Sequence, residues 1–213
     1  MTLARASFAF AAALALWGCG DASSPPQAPA PKPARLADDP TLPRADSVAA
    51  MQTLVDEVRK REYAELASYK IVLDPLESES DFFTADVDTS TIGKPAAERT
   101  YRVRYNPKLF GDPPSNRAVF AILVHELKHV LDYTKKSTET ELVDFGVKYA
   151  LDQPFRTAYE RATDEHALSR GYGEGLKDYR YWLYDRITPD KVEEKRRDYY
   201  TPEEIDAYRP PPK

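Results

Sequence analysis

Of the chain's three histidines, two stand four residues apart with a glutamate directly after the first, in His125-Glu126-Leu127-Lys128-His129. On an α-helix, residues four apart project from one face, so both imidazoles can meet a single metal ion. Two neutral imidazoles at that spacing supply two corners of a tetrahedral zinc site. Glu126 sits about 100° round the helix, a poor direction for a third ligand but a good one for reaching a water in an open coordination position. A carboxylate there can take the water's proton as it attacks a carbonyl, then hand it to the leaving amine. The pattern H-E-x-x-H thus reads as zinc-dependent hydrolysis. The plainer reading is a core helix that satisfies both rings by hydrogen bonds, and the scarcity of histidine weighs against it.

A catalytic zinc needs a third protein ligand and keeps its fourth position for water. Downstream, AYERATDEHALSRGY (158–172) places Glu160 and Asp164 four residues apart on one helical face, and it also contains the third histidine, His166. His166 would project about 240° from Glu160 and about 200° from Asp164, so the two options exclude each other. H-E-x-x-H followed by E-x-x-x-D on a second helix resembles the gluzincin superfamily of zinc metallopeptidases, over about Thr100 to Gly171. That resemblance implies a Zn²⁺ held by His125, His129 and Glu160. It also implies that Asp164 steadies a ligand histidine through its other ring nitrogen, and that Glu126 is the general base. A protein or peptide substrate would lie extended along strand Thr100–Tyr105, which would edge the cleft. For the oxyanion donor the residues leave Tyr172, Tyr159, His166 and Tyr181 open. The Tyr-rich run YGEGLKDYRYWLYD (172–185) reads mainly as packing surface, and Glu139, Glu141 and Glu165 as solvated charges.

Two rival functions remain. One is a non-catalytic, zinc-stabilised binding or assembly lipoprotein, which would have no use for Glu126. The other is a cell-wall peptide amidase, the same chemistry on a different substrate.

The elements that must position these residues follow from periodicity. Apolar residues at Val48, Met51, Leu54, Val55, Val58 and Leu66 predict a helix over 46–69, capped by Asp46 or Ser47. Three extended segments follow at 69–73, 81–87 and 99–105, the last alternating Tyr101, Val103 and Tyr105 with Arg102 and Arg104. Beyond residue 115 the pattern is helical: 115–133, 138–151, 154–170 closed by Gly171, and 175–186. Thr188-Pro189 and Thr201-Pro202-Glu203-Glu204 then each read as a helix start, the second with a capping box. The expectation is a mainly helical α+β fold, zincin-like, with a small antiparallel or mixed sheet packed on the bundle that carries the H-E-x-x-H helix.

A formal charge of −5 and a pI near 5.4 give no basic patch for nucleic acid. At the N-terminus, Arg5 precedes an apolar run from Ala6 to Trp17 that is too short to span a bilayer and fits a secretory signal. It ends in Leu16-Trp17-Gly18-Cys19, which resembles the lipobox of bacterial lipoproteins; Trp17 is bulkier than is usual there. The resemblance implies cleavage before Cys19, acylation of its thiol, and an extracytoplasmic protein anchored to the cell envelope. Cys19 is the only cysteine, so an internal disulfide is excluded. The expected organisation is a signal peptide (1–18), an acylated Cys19 with a Pro/Ala-rich linker (19–45), the peptidase domain (46–208) and a Pro-rich tail (209–213).

Overall fold

The computed structural model describes residues 42–209. The expected signal peptide, the acylation site at Cys19, nearly all of the linker and all but the first residue of the tail lie outside the described residues. No helix among the described residues is long and apolar enough to cross a membrane.

The architecture is α+β and mainly helical, with seven α-helices and a small sheet among the described residues. Helix α1 (Val48–Glu62) starts at Ser47, whose hydroxyl accepts the Ala50 N–H, and buries Met51, Leu54, Val55 and Val58. It stops about two turns earlier than periodicity predicts. The Arg59 guanidinium donates to the carbonyls of Leu66, Ala67 and Tyr69, so side-chain bonds satisfy the turn where helix bonds would have run. Leu66 stays in the core through a short 3₁₀ turn, which is why the apolar spacing looked uninterrupted. The domain also begins before residue 46: Ala45 is fully buried and the Leu42 carbonyl accepts from Asn116.

The sheet is mixed. Strands β1 (Lys70–Pro75), β2 (Phe83–Val87) and β3 (Thr100–Tyr105) lie in the order β1-β3-β2, with β3 parallel to β1 and antiparallel to β2. The strand expected at the cleft edge, Thr100–Tyr105, is therefore the central one, and the edge beside the cleft is β2. Cross-strand charge agrees with the order. Arg102 is paired with Asp86 on β2, and Arg104 sits between the two neighbours, 3.7 Å from Asp86 and 3.8 Å from Asp74 on β1. On the other face Tyr101, Val103 and Tyr105 are buried against the helices.

Helix α2 (Asn116–Thr134) is the axis of the fold. Ser115 caps it, and every residue from Ala118 to Leu127 is buried, because α1, α4, α5 and the sheet surround it. Helices α3 (Glu139–Leu151), α4 (Gln153–Ser169) and α5 (Gly173–Tyr184) follow, then α6 (Pro189–Asp198) and α7 (Pro202–Ala207). Full capping boxes start α3 at Thr138 and α7 at Thr201, whereas Thr188 makes no side-chain cap at α6. Gly171 closes α4 with φ 89°, a left-handed conformation that favours glycine. Gly175 has a different task. A Cβ there would lie 2.3 Å from the Arg117 carbonyl oxygen and 2.7 Å from the Ala121 Cβ, so α5 can approach α2 this closely only without a side chain.

Candidate metal centre

Helices α2 and α4 face each other, and the H-E-x-x-H turn of one meets Glu160 of the other. His125 Nε2 lies 3.0 Å from His129 Nε2 and 3.0 Å from Glu160 Oε2, and the third side, His129 Nε2 to Glu160 Oε2, is 3.2 Å. Tetrahedral zinc with ligands at about 2.0–2.1 Å has its donor atoms roughly 3.3 Å apart, so this triangle fits the ion with little adjustment. All three side chains are buried and could hold a metal ion together.

The outer bonds of these residues fix which atoms face inward. His125 Nδ1 is 2.9 Å from Asp164 Oδ1; an ionised carboxylate only accepts, so Nδ1 carries the proton. His129 Nδ1 is 3.0 Å from the Tyr159 hydroxyl, which itself donates to Asp132 at 3.4 Å, so that Nδ1 also carries a proton. Tyr149 donates to Glu160 Oε1, leaving Oε2 for the histidines. Two imidazole lone pairs and a carboxylate oxygen thus converge on one point, which demands a positive charge there. Without a metal a proton must serve. Burial alone would lower the His125 pKa, but Asp164 and Glu160 outweigh it and push the value up to about 10. Burial likewise opposes ionisation of Glu160, and the two histidines nonetheless hold its carboxyl well below the usual range.

Behind Asp164 stands a residue that sequence reasoning missed. Arg180 on α5 is almost wholly buried, and its Nη2 reaches both Asp164 oxygens at 2.9 and 3.0 Å. The Tyr200 N–H adds a third bond at 2.9 Å. Burial works to raise the Asp164 pKa, but Arg180 first and then His125 turn the balance, and the carboxyl stays below its ordinary value.

Glu126 is buried and makes no hydrogen bond to any described residue. It lines a cavity of about 370 Å³ together with His129, Glu160, Tyr149, Tyr199 and the Phe83–Ala85 stretch of β2. Burial raises its pKa, the direction that suits a proton acceptor. Tyr199, from the end of α6, has its ring 5.8 Å from that of His125, and its hydroxyl makes no hydrogen bond to any described residue. Its place in the wall is secured by Arg180, whose guanidinium lies 4.7 Å above the ring, and by neighbouring Asp198, which binds Arg156 and Thr157 of α4.

The residues named from sequence separate clearly. His125, Glu126, His129, Glu160 and Asp164 come together. His166 does not: its ring stacks on Tyr63, and Nδ1 contacts Arg170. Of the proposed oxyanion donors, Tyr172 bonds Glu62, Tyr181 is exposed, and Tyr159 is occupied beneath His129. Glu141 caps α3, and Glu165 accepts from Tyr200. Tyr149, Arg180 and Tyr199 were not singled out. A buried aspartate behind a ligand histidine implies a cationic partner, which was the available signal for Arg180. Compared with protein-family models, curated proteins and solved structures, the chain matches none.

Proposed function

We propose that the protein is a zinc-dependent metallopeptidase with a zincin-like arrangement of its two motif helices. The observation that carries this reading is the triangle of His125, His129 and Glu160 opening onto a cavity in which Glu126 makes no hydrogen bond to any described residue. A closed structural site would have spent a fourth protein ligand and would have no use for that carboxylate.

Zinc bound at the triangle would supply Lewis-acid polarisation of a carbonyl and a water acidified towards neutrality. The chain's own residues do the rest. Glu126 accepts a proton as the water oxygen adds to the peptide carbonyl carbon, and delivers it to the amide nitrogen as the C–N bond breaks. The Tyr199 hydroxyl is placed to donate to the carbonyl oxygen as negative charge grows on it. Tyr149 and Asp164 keep Glu160 and His125 aimed inward. The free edge of β2 offers main-chain groups to an extended substrate.

The direct test is metal analysis of the purified chain beside digestion of a peptide library. We expect one zinc per chain, lost in Glu160→Ala and kept in His166→Ala. Cleavage should fall by several orders of magnitude in Glu126→Gln with zinc retained. Zinc without cleavage of any peptide would instead favour the binding-lipoprotein alternative, and cleavage confined to cell-wall peptides the amidase one.

We further propose export and anchoring through an acylated Cys19, on the strength of the Leu16–Cys19 motif. Labelling with a radioactive fatty acid should mark the wild type and leave Cys19→Ala unlabelled.

A further inference from the structure

A second hollow adjoins the metal cavity. It measures about 310 Å³ and runs between the far half of β2 and helix α3, lined by Val87, Ile92, Leu142, Phe145 and Gly146. Ala85, Tyr133 and Tyr149 border both hollows, so the two are immediate neighbours. The charged group in its wall, Asp86, is paired with Arg102 at 2.5 Å, so the groove is apolar in character.

We infer that this groove is a subsite for one bulky apolar side chain of an extended peptide, such as leucine or phenylalanine. The inference rests on the peptidase reading for the position of the peptide, and two observations carry it further. First, β2 has a free edge. Phe82 and Asp88 bond β3 through their main chains, so by alternation Phe83, Ala85 and Val87 turn their backbone groups away from β3; the Ala85 carbonyl accepts from the Tyr133 hydroxyl at 3.3 Å, which leaves the main-chain groups of Phe83 and Val87 to receive a peptide. A peptide added there passes the metal centre near Phe83–Ala85 and the groove near Ala85–Val87, about 7 Å further on. Its side chains alternate between faces, so one residue close to the cleaved bond delivers its side chain to the groove.

Second, α3 keeps a glycine in its interior at the groove. Gly146 costs about 1 kcal/mol of helix stability against alanine. A Cβ built on it would meet no atom within 4 Å, so nothing in the packing of α3 requires glycine. What the missing side chain leaves is space beside Phe145 and Leu142.

The test uses the full chain carrying Glu126→Gln, so that bound peptide persists. Capped pentapeptides, acetyl-Ala-Ala-X-Ala-Ala-amide with X as Gly, Asp, Lys, Leu or Phe, are titrated by calorimetry with zinc present and after chelation. We expect Leu and Phe to bind roughly tenfold or more tighter than Gly, with no such gain for Asp or Lys. Gly146→Phe, which fills the groove, should erase the advantage, while Gly146→Ala keeps it. Ile92→Asp repeats the test from the opposite wall should the α3 variant fail to fold. Equal affinity for all five peptides, or an advantage that survives a folded Gly146→Phe, overturns the inference. An apolar advantage in a chain that takes up no zinc supports the groove while the peptidase reading falls. Zinc-dependent cleavage by the wild type with no apolar preference sinks the groove alone.

Discussion

His125 and His129 are one helical turn apart, yet they are supported in opposite ways. Behind His125 is a charge pair sealed in the core: Asp164 has no exposed surface and takes its bonds from Arg180 and a backbone N–H. Behind His129 is a neutral hydroxyl, Tyr159, that leads outward to Asp132, which is tied to Lys128 and Lys135 at the wet edge of α2. The first support is rigid and stores a large penalty if broken, since either charge left alone would be buried without compensation. The second is screened by solvent and can be lost at small cost. The centre therefore has one histidine fixed by the fold and one held by a relay to the surface.

The largest break in this contrast should come from Asp164→Ala. Metal affinity, measured by competition with a chromophoric chelator, is expected to fall ten- to hundredfold. Denaturant unfolding should show a loss of roughly 3–5 kcal/mol, because Arg180 is stranded. The paired replacement Asp164→Leu with Arg180→Met separates the two effects: stability should largely return while metal affinity does not. Recovery of both would mean that Asp164 serves only the fold.

Next in size is a pH effect. In the metal-free chain the His125 pKa stands at about 10 against an ordinary 6.5, a value raised on folding. The stability it contributes is complete below pH 6.5 and is lost as pH rises towards 10. Thermal midpoints of the chelated chain should fall across that window, and Asp164→Asn should flatten the fall. Saturating zinc should reverse the slope at lower pH, where protons compete with the ion for both rings. A chelated chain with no pH dependence there would contradict the proposed array.

On the His129 side the effects shrink. Tyr159→Phe removes one hydrogen bond, for which about 0.5–1.5 kcal/mol and a severalfold loss of metal affinity are expected. Asp132→Asn is smaller again, within about 0.5 kcal/mol, as befits a group near solvent. If Tyr159→Phe matched Asp164→Ala in metal affinity, the asymmetry between the two histidines would be false.

What could be read from sequence divides along physical lines. His125, Glu126 and His129 were legible because helical spacing alone puts them on the right faces, whereas Glu160 and Asp164 share a face by spacing and were named through the resemblance that their pattern carries. The helix starts at Thr138 and Thr201 were legible because capping is local chemistry. Strand order was not, since periodicity says which face a residue takes and nothing about its neighbours. The signal lay in Asp74 and Asp86, which flank the two arginines from separate strands. Tyr199 and Arg180 escaped for a related reason. Nothing local distinguishes them from the other aromatic and basic residues around them; tertiary packing brings them to His125 and Asp164.

The close seating of α5 on α2 at Gly175 gives the centre a vulnerable point far from its chemistry. Arg180 lies further along the same helix, so the clearance at Gly175 gauges how near that guanidinium comes to Asp164. A single added methyl would wedge the two helices apart and slacken the hold on His125 without touching any group in the cleft. A mutational survey confined to the cavity walls would never find it, and a chance substitution there would look like loss of metal for no visible cause.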